Sequence, residues 1–205
     1  MRLTIRKIFE RDRSSQVLID NAIWGVLSDR ILLPLYSVPY EGEIDAAAFD
    51  ELYMLLEKQS REQLLKYLAE SEHSSSQCRD YLKRKKVHPE LIDKLVAAFV
   101  EKRYIDDARF ARILIASLVE RGKSRTHIVY KLRELALPSE LWEDALNELC
   151  SPESSMETLK ELVLKLRLQY RDLPAAKLKE KVFSSLYRKG FDLEQIHSAW
   201  QATGK

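Results

Sequence analysis

The fold is decided by the segment QCRDYLKRKKVHPELIDKLV at residues 77–96, which recurs twice later in the chain. The second copy is HIVYKLRELALPSELWEDAL at 127–146, and the third is KVFSSLYRKGFDLEQIHSAW at 181–200. Shifts of about 50 and then about 54 residues align apolar residues in six columns over a window of about 22. Random placement at 45% apolar content would give only about two such columns, so the sequence predicts a tandem repeat.

The six columns define the predicted core of each repeat. They are Cys78/Ile128/Val182, Leu82/Leu132/Leu186, Val87/Leu137/Phe191, Ile92/Trp142/Ile196, Leu95/Ala145/Ala199 and Val96/Leu146/Trp200. Their two tryptophans are therefore interpreted as packing residues rather than as platforms for stacked bases. Because a unit of about 45 residues buries little apolar surface alone, we expect the copies to stack around a continuous interior in an elongated arrangement.

The first repeat is predicted from its helix starts and stops. Ser60 with Gln63 fits a capping box at the start of its first helix. The serines after His73 interrupt the helical pattern, and a second helix is predicted from about Gln77. Pro89 then fits the first turn of a third helix.

The second and third repeats have clearer boundaries. Asp106 and Asp107 lie where carboxylates favour the partial positive charge of a helix N-terminus. Gly122 is predicted to end that helix, and Ser124 to cap the next. Gly190 provides a left-handed helix end in the third repeat, and the other two repeats have no glycine there.

The first sixty residues have a different pattern. Two apolar runs flank Asp20 and Asn21, a pair that tolerates the positive φ of a tight turn, so a β-hairpin is predicted. A loop containing Gly42 follows, and Asp45 can cap a helix whose apolar residues share one face. The predicted fold is mainly α, with three tandem three-helix repeats after a small hairpin-containing segment. The predicted domains are 1–60, 61–105, 106–150 and 151–205.

Composition supports a helical, globular chain. Five Gly and six Pro in 205 residues are few for a turn-rich β fold. No apolar run reaches the length of a membrane span, and the first residues do not resemble a signal peptide, so a cytoplasmic protein without membrane contact is expected. Cys78 and Cys150 lack metal-ligand spacing and are interpreted as core residues.

The sequence offers little for catalysis. It contains no nucleotide-binding, zinc-protease or nucleophile-elbow motif. Its four histidines are scattered, and adjacent carboxylates at Asp106 and Asp107 would point about 100° apart on a helix, which favours capping over metal binding. We therefore expect no enzyme activity, no metal and no cofactor.

Basic clusters are the candidate binding residues. Residues 1–60 carry a formal net charge of −3 and residues 61–205 carry +5, so charge is biased towards the repeats. Cations near helix C-termini are also stabilised by the helix dipole, which gives each cluster a structural explanation beside the functional one. The functional interpretation is contact with phosphates or an acidic protein surface. The candidates are Lys83, Arg84, Lys85, Lys86, Lys102, Arg103, Arg121, Lys123 and Arg125.

One stretch resembles a known family. Residues 104–111, YIDDARFA, followed by ERGKS at 120–124, resemble the signature of the RecX regulatory family. The residues that match it are Tyr104, Ile105, Asp106, Asp107, Phe110, Ala111 and Gly122. The helix end RKGF at 188–191 is also similar to the family pattern, whereas Ser124 replaces a frequent second glycine.

The resemblance implies a modulator of the RecA recombinase. Members are thought to lie in the groove of the RecA–DNA filament and restrain ATP hydrolysis, strand exchange and filament growth in DNA repair, recombination and the SOS response. It implies RecA filaments as the partner. Accessory contact with single- or double-stranded DNA and a monomeric state are expected beside it. The alternative from the residues themselves is a helix-turn-helix-like DNA-binding protein that acts without RecA.

Overall fold

The predicted hairpin forms at Asp20 and Asn21 in the computed structural model, which describes residues 1–9, 11 and 13–204. The two turn residues take positive φ values of 48° and 66°. They join strand β2 (Ser14–Ile19) to strand β3 (Ala22–Ser28). Strand β1 (Arg2–Lys7) pairs antiparallel with the other edge of β2.

A fourth strand forms where the sequence predicts only a loop. Strand β4 (Tyr40–Glu43) pairs antiparallel with β1 and gives the sheet order β3-β2-β1-β4. A short helix, α1 (Asp29–Leu32), lies between β3 and β4. A four-residue strand is too short to show a clear alternating pattern in the sequence. Its pairing with β1 stabilises it as a strand, and that pairing is not visible in the local sequence.

The helix after the sheet is one continuous element, α2 (Ala46–Glu70). Asp45 caps it as predicted, because its side chain accepts a backbone N–H at 2.9 Å. The predicted capping box at Ser60 and Gln63 is wrong. Ser60 lies inside the helix, where its hydroxyl donates to the Leu56 carbonyl at 2.7 Å, a bond that serine can make within a helix. A domain boundary at residue 60 therefore falls inside α2.

Residues 1–106 form the first of two compact units. They include α3 (Ser75–Arg84), which Ser74 and Gln77 begin with a capping box, and α4 (Pro89–Glu101), with Pro89 in its first turn as predicted. One buried cluster joins the sheet to the first repeat, including Ile5, Leu27, Leu56, Leu64, Leu82 and Leu95. The β-rich segment and the first repeat therefore share one core.

Residues 107–205 form the second unit. Its helices are α5 (Asp107–Glu120), α6 (Arg125–Glu134), α7 (Glu143–Leu149), α8 (Pro152–Gln169), α9 (Ala175–Tyr187) and α10 (Leu193–Ala202). A single 3-10 turn (Ser139–Leu141) precedes α7. The structure is mainly helical with a small N-terminal antiparallel sheet, as the sequence predicts.

The repeat columns point inward. All members of the six columns are buried except Ala145 and Trp200, which are half-buried. Trp142 is held in its repeat core by an indole N–H bond to the Leu137 carbonyl at 3.0 Å. Within the second unit, however, the buried apolar residues form two clusters, one per repeat, instead of the expected continuous interior.

The same backbone turn precedes the third helix of each repeat. Lys86, Ala136 and Gly190 have φ values of 64°, 53° and 92°. In each turn this residue donates its N–H three residues back, and the next residue donates five residues back, which is the Schellman pattern of a helix end. The left-handed end predicted only for Gly190 is therefore present in all three repeats.

Candidate functional site

The first basic cluster lies at the C-terminal end of α3. Its four residues, Lys83 to Lys86, are all exposed. Lys83 has an exposed partner in Asp80 at 3.7 Å, and the Lys85 ammonium lies 5.5 Å from the centre of the Tyr81 ring. The first unit therefore presents four cations at one helix end, and among the described residues one of them, Lys83, has an ion pair of ordinary surface geometry.

An aromatic stack supports this helix end. Tyr67 of α2 stacks on Tyr81 of α3 with ring centres 4.1 Å apart, and on His73 at 3.7 Å on its other face. Burial raises the pKa of the Tyr67 hydroxyl, and interaction with Arg84 opposes that rise. The stack joins α2 to α3 and places its edge beside the basic cluster.

The second basic pair follows α4. Lys102 and Arg103 are exposed, and Arg103 takes a φ of 56° as the helix ends. Arg103 thus has a left-handed backbone conformation although it is not glycine, as does Lys86 in the same unit. Both basic groups of the first unit thus lie at helix ends, where the carbonyl dipoles favour positive charge.

Arg125 differs from the other predicted basic residues. Its guanidinium donates to the carbonyls of Leu146 and Cys150 at 3.1 and 2.7 Å, and to the Asn147 side chain at 2.6 Å. The Leu146 carbonyl also accepts the Cys150 N–H at 2.9 Å, so the guanidinium adds a second bond there and bonds the Cys150 carbonyl just past the end of α7. Arg125 therefore has a structural role that its position in a basic run did not reveal.

The loop from Arg121 to Ser124 contacts the third repeat. The Ser124 N–H donates to the Lys189 carbonyl at 3.0 Å, and the Ser124 hydroxyl donates to the Gly190 carbonyl at 2.6 Å. The Lys189 ammonium donates to the Arg121 carbonyl at 2.7 Å. Ser124 also accepts the His127 N–H at 3.1 Å, so the predicted cap is confirmed and also joins two repeats.

The residues of the family signature lie before, within and after α5, in the buried cores and in the turn that ends the helix. Ile105 is buried in the core of the first unit, and Phe110 and Ala111 are buried in that of the second repeat. Gly122 has a φ of 65°, as its predicted role as a helix end requires. The signature also includes Tyr104, which is exposed, with its ring 5.5 Å from that of Phe99.

The two aspartates of the signature lie at the start of α5. Asp107 is its first residue, and both Asp106 and Asp107 are half-buried. Among the residues that the structure describes, no group of three His, Cys, Asp or Glu side chains could hold a metal ion.

Sequence reasoning missed two kinds of basic residue. Arg167 donates to the carbonyls of Thr203 and Trp200 at 3.0 and 2.9 Å and lies 3.7 Å from the Trp200 ring centre, so it fastens the end of α10. Lys165 lies close enough to Lys189 for its charge to lower the pKa of that ammonium. Neither residue belongs to a local basic run, so only the fold identifies them.

Comparison with protein families matches the two repeats of the second unit. The description "RecX, second three-helix domain" matches residues 106–146, and "RecX, third three-helix domain" matches residues 153–200. No helix in the described part of the chain is long and apolar enough to cross a membrane.

Several relatives carry the same name. A regulatory protein RecX from Caldanaerobacter subterraneus is 24% identical over 98% of this chain and 100% of its own length. Those from a Geobacillus strain and from Streptococcus gordonii are 27% and 25% identical. The chain spans 57% and 52% of the length of these two relatives.

Solved structures share the fold. A crystal structure of a regulatory protein RecX matches with a TM-score of 0.61 and 21% identity, over 98% of both chains. RecX from Lactobacillus salivarius matches with a TM-score of 0.59 and 20% identity, over 72% of this chain and 96% of that one. The fold and the matching domains define a protein built from three-helix repeats. The two matching domains, the relatives and the solved structures together support the RecX family of regulatory proteins.

Proposed function

We propose that this protein binds the RecA recombinase filament on DNA and inhibits its ATPase, its strand exchange and its growth. Membership of a regulatory family supports a regulatory role. The observation that carries the proposal is the set of three-helix repeats that expose basic residues at their helix ends. Several weak contacts along a repetitive partner add up to a useful affinity through effective concentration.

The basic residues at the end of α3 are the proposed contact in the first unit. Lys83 to Lys86 are exposed, and Tyr81 and Tyr67 fix the helix that carries them. Lys102 and Arg103 extend the contact from α4. In the second unit we assign it to Arg121 and Lys123, and leave out Arg125 because its guanidinium is bonded to the end of α7.

The main test is a titration of RecA filaments on single-stranded DNA. ATP hydrolysis and strand exchange are expected to fall as the protein approaches a fixed ratio to RecA. No change in either activity at stoichiometric protein would overturn the proposal. A cytoplasmic location is part of the proposal, because RecA filaments form on chromosomal DNA.

A matched pair of variants tests the α3 cluster. Arg84→Gln with Lys86→Gln removes two exposed charges from the cluster, and Lys58→Gln with Lys66→Gln removes two exposed charges from α2. The first variant is expected to need more protein for half-inhibition than the second. Equal inhibition curves would remove the α3 cluster from the contact.

The second candidate function is DNA binding without RecA. The two compact units with their basic helix ends favour it, and the repeat region's formal charge of only +5 argues against it as the main activity. Replacing Lys83, Arg84, Lys85 and Lys86 with Gln separates the two functions. A RecA regulator keeps partial inhibition, whereas a DNA-binding protein loses most of its affinity for DNA.

A further inference from the structure

The junction between the second and third repeats brings together four cations from three segments. Arg121 and Lys123 belong to the turn after α5, Lys165 belongs to α8, and Lys189 belongs to the turn after α9. The turns are held together by the Ser124 bonds to the Lys189 and Gly190 carbonyls. The fold therefore brings the turn that carries Arg121 and Lys123 against the turn that carries Lys189.

Lys189 is the fixed member of this group. Its ammonium donates to the Arg121 carbonyl at 2.7 Å, and it lies 3.5 Å from where a Cβ on Gly122 would stand. Burial lowers the pKa of Lys189, and the charges of Lys123 and Lys165 lower it further. Lys189 as a residue is half-buried, so its side chain is held by the fold and is not fully enclosed.

The positive charge of the group is not neutralised. Among the described residues, none of the four cations has a carboxylate within 4 Å, although ion pairs join Arg112 to Glu148 and Lys131 to Glu134 elsewhere in the unit. Like charges placed close together repel one another and so destabilise the folded state. Proteins keep such destabilising arrangements mainly at functional sites.

We propose that Arg121, Lys123, Lys165 and Lys189 form a phosphate-binding site at the junction of the second and third repeats. The three lysine ammonium groups act as compact point charges. Several such charges suit a phosphate group, which has several charged oxygens, better than they suit a single carboxylate. The phosphate comes from a nucleic-acid backbone or from a free polyphosphate. The site does not depend on the proposed binding to RecA.

Binding is linked to the packing of the two repeats. Lys189 bonds to one repeat from the other, so a phosphate that bridges Lys189 and Lys123 stabilises their contact. A ligand that binds only the folded junction raises its stability in proportion to the logarithm of ligand concentration. Thermal stability of the second unit is therefore a readout that needs no recombinase.

The test uses inorganic pyrophosphate and the full-length protein at low salt. Nuclear magnetic resonance titration should shift the amide signals of Gly122, Lys123, Lys189 and Gly190 before those of other residues. Lys165→Gln and Lys123→Gln should each weaken binding about fivefold, as expected for loss of one nearby charge in water. Lys177→Gln, which removes an exposed charge from α9, should leave it within about twofold.

Lys165→Gln is the decisive variant, because Lys165 is exposed and makes no hydrogen bond within the part of the chain that the structure describes, so we expect its loss to leave the fold intact. Unlocalised amide shifts, or equal weakening by Lys165→Gln and Lys177→Gln, would overturn the site. A competition arm with single-stranded oligothymidylate identifies the source of the phosphate. Displacement of pyrophosphate supports a nucleic-acid backbone, and retention of pyrophosphate supports a free polyphosphate.

Discussion

Gly190 and its two counterparts, Lys86 and Ala136, have the same backbone conformation in very different surroundings. All three end the second helix of a repeat with positive φ. Lys86 and Ala136 are exposed, whereas a Cβ on Gly190 would lie 2.7 Å from both the Ser124 hydroxyl and the His127 Cβ. All three repeats therefore require the same positive φ at this turn. Only in the third repeat does a neighbouring repeat lie so close that a side chain larger than that of glycine does not fit.

The largest effect is expected from Gly190→Ala. The new methyl group meets Ser124 and His127, and a non-glycine residue in this conformation is strained. We expect the free energy of unfolding of the second unit to fall by about 2–4 kcal/mol. Native-state hydrogen exchange of α6 and α10 measures it. A loss no larger than that produced by an alanine at an exposed helix end would show that the two turns are not in contact.

Arg125→Met tests a second difference within the same region. It removes three hydrogen bonds from the end of α7, so stability of the second repeat should fall by about 2 kcal/mol. Arg121→Met is the matched control, because its exposed side chain should change stability by less than about 0.5 kcal/mol. Chemical denaturation of both variants measures the difference, and equal effects would contradict the role assigned to Arg125.

Ala136→Gly should act in the opposite direction from Gly190→Ala. Glycine relieves the strain of positive φ at an exposed turn without filling any space. The expected gain is about 0.5–1 kcal/mol in the free energy of unfolding. Lys86→Gly should give a similar gain in the first unit. Destabilisation by both changes would mean that their side chains make contacts that outweigh the strain.

His127 should make the contact at Gly190 sensitive to pH. Burial lowers the pKa of its imidazole, and Lys123 and Lys131 lower it further, while Glu134 opposes this. Because the folded state resists protonation, the second unit should lose stability as pH falls below about 6.5, the ordinary histidine value. His127→Asn should abolish this part of the pH profile, and an unchanged profile would contradict the assignment.

The first unit should respond to acid at lower pH. A hydrogen bond from Lys94 is the main cause that lowers the pKa of Glu57, with Arg61 adding to it. Its contribution to stability is complete above the ordinary glutamate pKa and is lost as pH falls through the lower folded value. Hydrogen exchange of α2 between about pH 5 and 3, compared with that of Glu57→Gln, tests this.

Much of the fold could be predicted because the repeat pattern is strong. Buried columns such as Leu82/Leu132/Leu186, and the caps at Asp45 and Ser124, follow from local chemistry. Ser60 was misassigned because serine can also bond to the preceding turn of its own helix. Strand β4 was missed because it exists only through its pairing with β1.

The candidate site was harder to predict than the fold. Basic runs in the sequence identified the exposed residues of α3, but they also included Arg125, whose role depends on carbonyls more than twenty residues away. Lys165 and Lys189 are 24 residues apart in sequence, and the fold brings them close enough for the charge of Lys165 to lower the pKa of Lys189. A cluster assembled from separate turns leaves no local pattern in the chain.

Co-sedimentation at a fixed salt concentration tests the central claim most directly. The protein is mixed with RecA filaments on single-stranded DNA, and separately with the same DNA alone. We expect it to pellet with the filaments to a saturable ratio while most of it stays in solution with the bare DNA. Equal recovery with DNA alone, or no recovery with the filaments, would contradict a regulator that acts by binding RecA.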